Sequence, residues 1–171
     1  MSPAFRIFLT GGTGYIGSPL VAELIGRGHA VCALVRNGSQ HKLPTGCTAV
    51  VGDALNHTTY VAPCATADAF VHLVGVAHPD PSKAEPFRSI DLASAREAVA
   101  AATAAGVRQF VYASVAHPAS VMKAYWLGAR RLGLVTLAQM LHALVWTIER
   151  PATALRVLVV PDIRHGALED T

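Results

Sequence analysis

Ile7-Phe8-Leu9-Thr10-Gly11-Gly12-Thr13-Gly14-Tyr15-Ile16-Gly17 lies almost at the start of the chain, and its reading decides the fold. The apolar run before the glycines reads as a buried strand. After them, Leu20, Val21, Leu24 and Ile25 recur at the spacing of one helix face. Glycines at i, i+3 and i+6 (Gly11, Gly14, Gly17) suit a turn that bends tightly, approaches a pyrophosphate and packs a helix onto a sheet. Gly12, Gly14 and Gly17 also satisfy G-x-G-x-x-G. The helix start offers unpaired N–H groups and a positive dipole end, both of which stabilise a phosphate. Such a turn also occurs in proteins that bind nothing. The strand before it and the amphipathic helix after it favour a nucleotide.

Working outward, strands and helices alternate. Phe5–Thr10 is the first strand, and the following helix runs to Arg27, with Gly28 as its stop signal. Pro19 falls early in that helix, where a missing N–H costs least. Ala30–Val35 is a continuous apolar strand of the kind covered on both faces, and Thr48–Val51 is a third strand ending at Gly52-Asp53. A short helix precedes strand Ala69–Val74. An Ala-rich helix from Ile90 to Ala105 is closed by Gly106, and Val107–Ala113 is the fifth strand. Strands separated by helices imply a doubly wound parallel α/β sheet, with its ligand at the carboxyl ends of the strands.

Beyond Ser114 the regularity fails. Val121–Arg131 reads as helical, Leu132–Leu137 as a sixth strand, and Leu137–Glu149 as an apolar helix with Thr136 as N-cap and Pro151 as its end. Leu155–Val160 reads as a last strand, and His78–Pro86 as a loop beside the ligand edge.

Composition narrows the function. A chain of 171 residues, 52% hydrophobic and 15% charged, has enough apolar surface for one real core and is not a disordered chain. The net charge of +3 is spread thinly, with no basic stripe, so nucleic-acid binding is unsupported. No apolar run reaches the length of a membrane span, and the N-terminus lacks a basic, cleavable leader. Cys32, Cys47 and Cys64 are an odd, widely spaced set, which reads as free thiols in a cytoplasmic protein. Eight histidines invite a metal, but His72, His78 and His117 have no helical pairing and no acidic cluster. They read as loop or core residues, with no metal. Trp126, Trp146, Met122 and Met140 read as packing. Asp80 and Glu85 have no paired carboxylate for acid–base work.

Nineteen residues beyond Gly17, where an acidic side chain would bond the ribose hydroxyls of NAD, stands Arg36. A guanidinium there fits a 2′-phosphate and stacks on adenine, which favours NADP over NAD; the alternative is a solvated loop arginine. Asn37, Ser39, His41 and Lys42 offer further polar contacts. Asp53 either accepts from the adenine amino group or caps the next short helix. Gly75 either lets the backbone pass close to the ribose and nicotinamide or merely turns the chain at a strand end.

TGGTGYIG, ALVRN (33–37), VVGDAL (50–55), HLVGVAHP (72–79) and AAGVRQFVYASV (104–115) together resemble the extended and atypical short-chain dehydrogenase/reductases. The resemblance covers residues 4 to 125. Within that superfamily it is nearest the NAD(P)-binding, NmrA-like group that includes the nucleotide-binding accessory subunit of respiratory complex I. It implies that Gly11, Gly12, Thr13, Gly14, Tyr15, Ile16 and Gly17 hold the pyrophosphate and that Arg36 selects NADP. It also implies that Asp53, Ala54, Leu73, Val74 and Gly75 line the cofactor.

Departures from the family pattern are as informative. Active members carry Ser or Thr after the fifth strand and Tyr-x-x-x-Lys on the next helix; the tyrosine moves the proton, and the lysine lowers its pKa while holding the ribose. Here Ser114 lies in the serine region, but Val115 occupies the aligned position. Tyr125 is the tyrosine downstream, followed four residues later by Ala129 and then by Arg130, with Lys123 on a different helical face. The candidate catalytic pair is thus Ser114 and Tyr125, with Arg130 as a conceivable partner. Arg131–Arg164 resembles the far C-terminal end of such proteins, which suggests an internal deletion of the substrate lobe and a poorly covered edge at strand five.

The expectation is a single Rossmann-type domain over 1–171, with a nucleotide-binding core over 1–125, a remnant segment over 126–171 and the substrate lobe largely missing. It would bind NADP(H) rather than NAD(H), without a complete catalytic set, as a homodimer or larger assembly. The alternative is an NAD(P)H-dependent oxidoreductase or sugar-nucleotide epimerase.

Overall fold

The structure, a computed structural model, describes residues 3–75, 87–113 and 135–165. Its frame is a five-stranded, wholly parallel sheet of order β3-β2-β1-β4-β5. The strands are β1 (Arg6–Thr10), β2 (Ala30–Val35), β3 (Thr48–Val51), β4 (Ala69–His72) and β5 (Gln109–Tyr112). The first strand in sequence therefore lies at the centre, flanked by β2 and β4.

The helices are α1 (Gly17–Gly26), α2 (Val61–Cys64), α3 (Ala93–Ala104), α4 (Leu137–Glu149) and α5 (Val160–His165). Period-two alternation sends successive side chains of β1 to opposite faces, each with its own core. Ile7 and Leu9 pack with Val31, Ala69, Val71 and Val111 under Leu20, Val21 and Leu24 of α1 and Leu144, Val145 and Ile148 of α4. Phe8 and Phe70 face the other way, against Tyr60, Cys64 and Ala98, Ala101 and Ala102 of α3. The small side chains of α3 let it lie close on this aromatic layer, in which Phe8 and Tyr60 stack with centroids 5.9 Å apart.

Helix ends follow their signals. Gly28 (φ 87°) and Gly106 (φ 68°) take the left-handed conformation just past α1 and α3. Thr136 and Gln139 form a reciprocal capping box on α4. A π-helical turn, Phe87–Leu92, leads into α3 where an unbroken α-helix from Ile90 was expected.

The C-terminal part of α4 is tied to α1 by charge. Phe5 N–H donates to His29 Nδ1 (3.2 Å), so the Nε2 of that ring carries the proton that reaches Glu149 Oε1 (3.2 Å). Arg27 adds a second contact to the same carboxylate at 3.4 Å. Gln109 of β5 donates to the carbonyl of Thr147 (2.7 Å), fixing α4 against the last strand.

One expected strand is corrected. Of the other, Leu132–Leu137, residues 132–134 lie outside the described residues; Val135 and Thr136 belong to no strand, and Leu137 begins α4. Leu155–Val160 is not a strand. Leu155 and Val157 are 92% and 68% exposed with no ladder partner, and Val160 starts α5. The carboxylate of Asp162 accepts from the Val159 N–H (2.9 Å), which favours a helix start over further extension. Residues 155–160 are a nearly continuous apolar run, but no described strand lies beside them to pair with it. Beyond β5 no described strand extends the sheet. Val121–Arg131, His78–Pro86, Trp126 and Met122 lie outside the described residues.

Candidate functional site

Strand register gathers the candidate residues at one edge. Thr10 pairs with Leu34 and His72, and Val35 pairs with Val51. The segments that follow (Gly11 onward, Arg36, Gly52-Asp53 and Leu73 onward) therefore all leave the carboxyl ends of the strands, where a ligand of an open parallel sheet sits.

The glycines of the turn divide the work. Gly11 holds φ 84°, and a Cβ on it would stand 2.8 Å from the carbonyl carbon and oxygen of Leu73. Gly17 is buried, and a Cβ there would collide with the Gly11 carbonyl oxygen, so the first turn of α1 presses directly on the loop. A Cβ on Gly12 would meet Ala33 Cβ at 3.0 Å. Gly14 differs: it is exposed, and among the described residues its only close neighbour would be the Gly11 oxygen at 3.2 Å. Its open side is where a ligand backbone can approach.

The donors of this turn suit an anion. Gly14 N–H closes onto Gly11 O and Ser18 N–H onto Gly14 O, each at 3.0 Å, while Pro19 has no N–H to satisfy. No side chain caps α1. The N–H groups of Tyr15, Ile16 and Gly17 donate to nothing among the described residues, which leaves them to a phosphate at the positive end of the helix. Thr13 and Tyr15 are exposed beside them, Tyr15 at 80%, and Ile16 packs inward against the first core.

Arg36 is exposed directly after β2, and its guanidinium makes no ion pair among the described residues. Asp53 closes its own turn: Oδ1 accepts from Leu55 N–H (2.9 Å) while its N–H donates to Thr59 Oγ1 (3.0 Å). It does not cap the next short helix: that helix, His57–Thr59, is capped by Asn56, whose side chain accepts from Thr58 N–H (3.2 Å). Ala54 packs against the second core. Leu73 N–H donates to Thr10 O (3.0 Å), its side chain joins the first core, and Val74 is half-buried. Gly75 is exposed, its Cβ position 3.7 Å from an Asp91 carboxylate oxygen. Ser114 and Tyr125, with Val115, Lys123, Ala129 and Arg130, lie outside the described residues.

A group that sequence reading noted only as a core histidine lies beneath this edge. His72 is fully buried; its Nδ1 meets Thr10 Oγ1 at 2.7 Å and its Nε2 meets Ser94 Oγ at 3.4 Å. Burial lowers its imidazole pKa to about 4. No sequence signal joins Thr10, His72 and Ser94. The nearest hint is a polar ring ending an otherwise apolar strand.

Other features stay outside the site. Among the described residues no group of three or more His, Cys, Asp or Glu could hold a metal ion, and no helix is long and apolar enough to cross a membrane. All three cysteines are free; burial pushes the Cys47 and Cys64 thiols up to about 11 and about 12, which suppresses thiolate chemistry. Trp146 packs beneath Arg150 and Arg156, and Met140 packs against the first core. A cavity of about 200 Å³ lined by Arg6, Cys32, Thr48 and Pro63 opens at the amino ends of the strands, opposite the glycine turn.

A parallel sheet with a glycine cradle at its central strand defines a Rossmann-type dinucleotide-binding protein. The chain belongs to the NAD(P)H-binding family, whose model matches residues 11–154. It is 35% identical over 121 residues to a 3-diazoavenalumate denitrifying reductase of Streptomyces, covering 67% of this chain and 39% of that protein. It is 31% identical over 124 residues to a UDP-glucose 4-epimerase of Klebsiella pneumoniae, covering 65% of this chain and 89% of that sequence. Among solved structures, a short-chain dehydrogenase/reductase superfamily protein of Agrobacterium tumefaciens with bound NAD matches at TM-score 0.52 and 29% identity, over 64% of this chain and 32% of that one. The fold and family are those of NAD(P)-binding short-chain dehydrogenase/reductase and epimerase-type proteins. The chain spans about two fifths of the reductase and a third of the solved protein.

Proposed function

We propose that this chain binds NADP(H) in preference to NAD(H) and holds it without a complete catalytic set, as a nucleotide-binding sensor, assembly or accessory protein of the cytoplasm. The observation that carries the reading is the open side of Gly14, flanked by the N–H groups of Tyr15, Ile16 and Gly17, which have no partner among the described residues. The pyrophosphate rests there. Arg36, exposed at the end of β2, pairs with the 2′-phosphate, and the Asp53–Ala54 turn borders the adenine. Leu73, Val74 and Gly75 bring backbone to the ribose and nicotinamide. When bound, the cofactor supplies hydride chemistry; this chain's own groups bind and orient it. The lack of Tyr-x-x-x-Lys at Tyr125 supports binding without turnover.

The relatives' activities, a reductase and an epimerase, support a second reading, an oxidoreductase or epimerase using Ser114 and Tyr125. Calorimetric titration with NADPH and NADH tests the first. Binding of neither ends the cofactor assignment. Turnover of NADPH with quinones or aldehydes that Tyr125→Phe abolishes establishes the second instead.

A further inference from the structure

We propose that Thr10, His72 and Ser94 are positioning residues for the dinucleotide, forming a directed hydrogen-bond line that fixes the contact between the two cradle loops. The inference rests on the dinucleotide reading above and deepens it.

The direction follows from counting protons. Ser94 Oγ donates its single hydrogen to the Asp91 carbonyl (3.2 Å), so toward His72 Nε2 (3.4 Å) it acts as acceptor. Nε2 therefore carries the ring proton. Nδ1 is then a bare lone pair, which accepts from the Thr10 hydroxyl at 2.7 Å. One neutral tautomer satisfies every member, and all three residues are fully buried. The ring is flanked by Phe110 and Tyr112 of β5, at 6.5 and 5.4 Å between centroids.

The line's position gives it consequence. Thr10 immediately precedes Gly11, and His72 immediately precedes Leu73, the two residues whose backbones touch across the cradle floor. Ser94 lies in the first turn of α3, and the residue it donates to, Asp91, places its carboxylate beside Gly75. The three residues thus link the pyrophosphate loop, the 73–75 loop and the start of α3. Apolar residues would pack this spot at lower desolvation cost. A fully satisfied polar line instead permits one relative placement of the strand ends, which a slippery apolar contact does not.

The test uses the whole chain with NADPH and NADH as probes. Long-range ¹H–¹⁵N spectra at neutral pH are expected to show His72 protonated at Nε2; protonation at Nδ1 overturns the line. In titrations, Thr10→Ser, which keeps the hydroxyl, binds within about twofold of the unaltered chain. Thr10→Val and Ser94→Ala each weaken binding about tenfold in protein shown to be folded by circular dichroism. A purely structural role would lower melting temperature in Thr10→Val but leave the affinity of the folded protein unchanged, and that result overturns the proposal. If the unaltered chain binds neither dinucleotide, the functional reading falls and takes this one with it. Normal binding by the unaltered chain and by both Thr10→Val and Ser94→Ala removes the positioning role alone.

Discussion

Gly11 and Leu73 meet backbone to backbone: a Cβ on Gly11 would lie 2.8 Å from the Leu73 carbonyl. Residues 62 positions apart thereby share one wall of the cradle, and the missing side chain is a condition of their contact.

Gly11→Ala and Gly14→Ala should therefore separate stability from binding. At position 11 the methyl group meets backbone atoms that cannot swing aside, and φ 84° is strained for alanine. Gly11→Ala is expected to cost about 2 kcal/mol or more of stability by urea unfolding. Gly14→Ala has room within the protein and should cost less than about 1 kcal/mol, yet lower NADPH affinity by projecting into the open side of the turn. Equal stability losses in the two variants would contradict this division.

Arg36→Ala should weaken NADPH about tenfold or more by calorimetry while leaving NADH nearly unchanged, because only the former offers a 2′-phosphate to the guanidinium. Stability should move by less than about 0.5 kcal/mol, since the residue is exposed. Equal effects on both dinucleotides would assign Arg36 to general electrostatics.

Stability should fall in acid through His72. Burial holds its pKa at about 4 in the fold, against 6.5 in an open chain. Between those values the unfolded chain binds the extra proton, so its contribution is complete above 6.5 and is lost as pH falls toward 4. Roughly 3 kcal/mol is at stake. Urea unfolding across this range should show a slope that His72→Gln reduces by up to one proton; an unchanged slope would assign the acid lability to other groups.

Glu149→Ala should loosen the C-terminal helix. Removing the carboxylate strands the buried Nε2–H of His29 and leaves Arg27 with Glu23 alone, at a cost of about 1–3 kcal/mol. Glu149→Gln keeps an acceptor for His29 and should recover most of that in thermal melts. Failure of glutamine to recover more than alanine would mean that charge, rather than the acceptor, holds α4.

Much of this architecture was legible locally. β2 and β3 fall on the residues whose apolar runs announced them, and α4 matches its Thr136 cap and its apolar face to the residue. The glycine spacing also marked the turn, since Gly17 answers a steric demand made by Gly11 six residues away, although the demand on Gly11 itself comes from distant Leu73. What stayed hidden depends on distant partners. Leu155–Val160 is a nearly continuous apolar run, but whether such a run becomes a strand is decided by a neighbouring edge, not by its own pattern. The line from Thr10 through His72 to Ser94 was invisible for the same reason, since hydrogen bonds across 62 and 22 residues leave no periodic trace.

The central place of β1 also orders events in time. Its flank toward β2 closes over a short span of sequence, but its flank toward β4 waits for residues 69–72. Non-local parallel pairings of this kind form slowly, after the loop-closure entropy between them has been met. The glycine loop is synthesised before residues 69–73, yet its floor does not exist until Leu73 has docked. A nascent chain ending before that point displays the whole glycine signature and has no cradle, so dinucleotide binding reports the docking of β4 on β1 and not the presence of the motif.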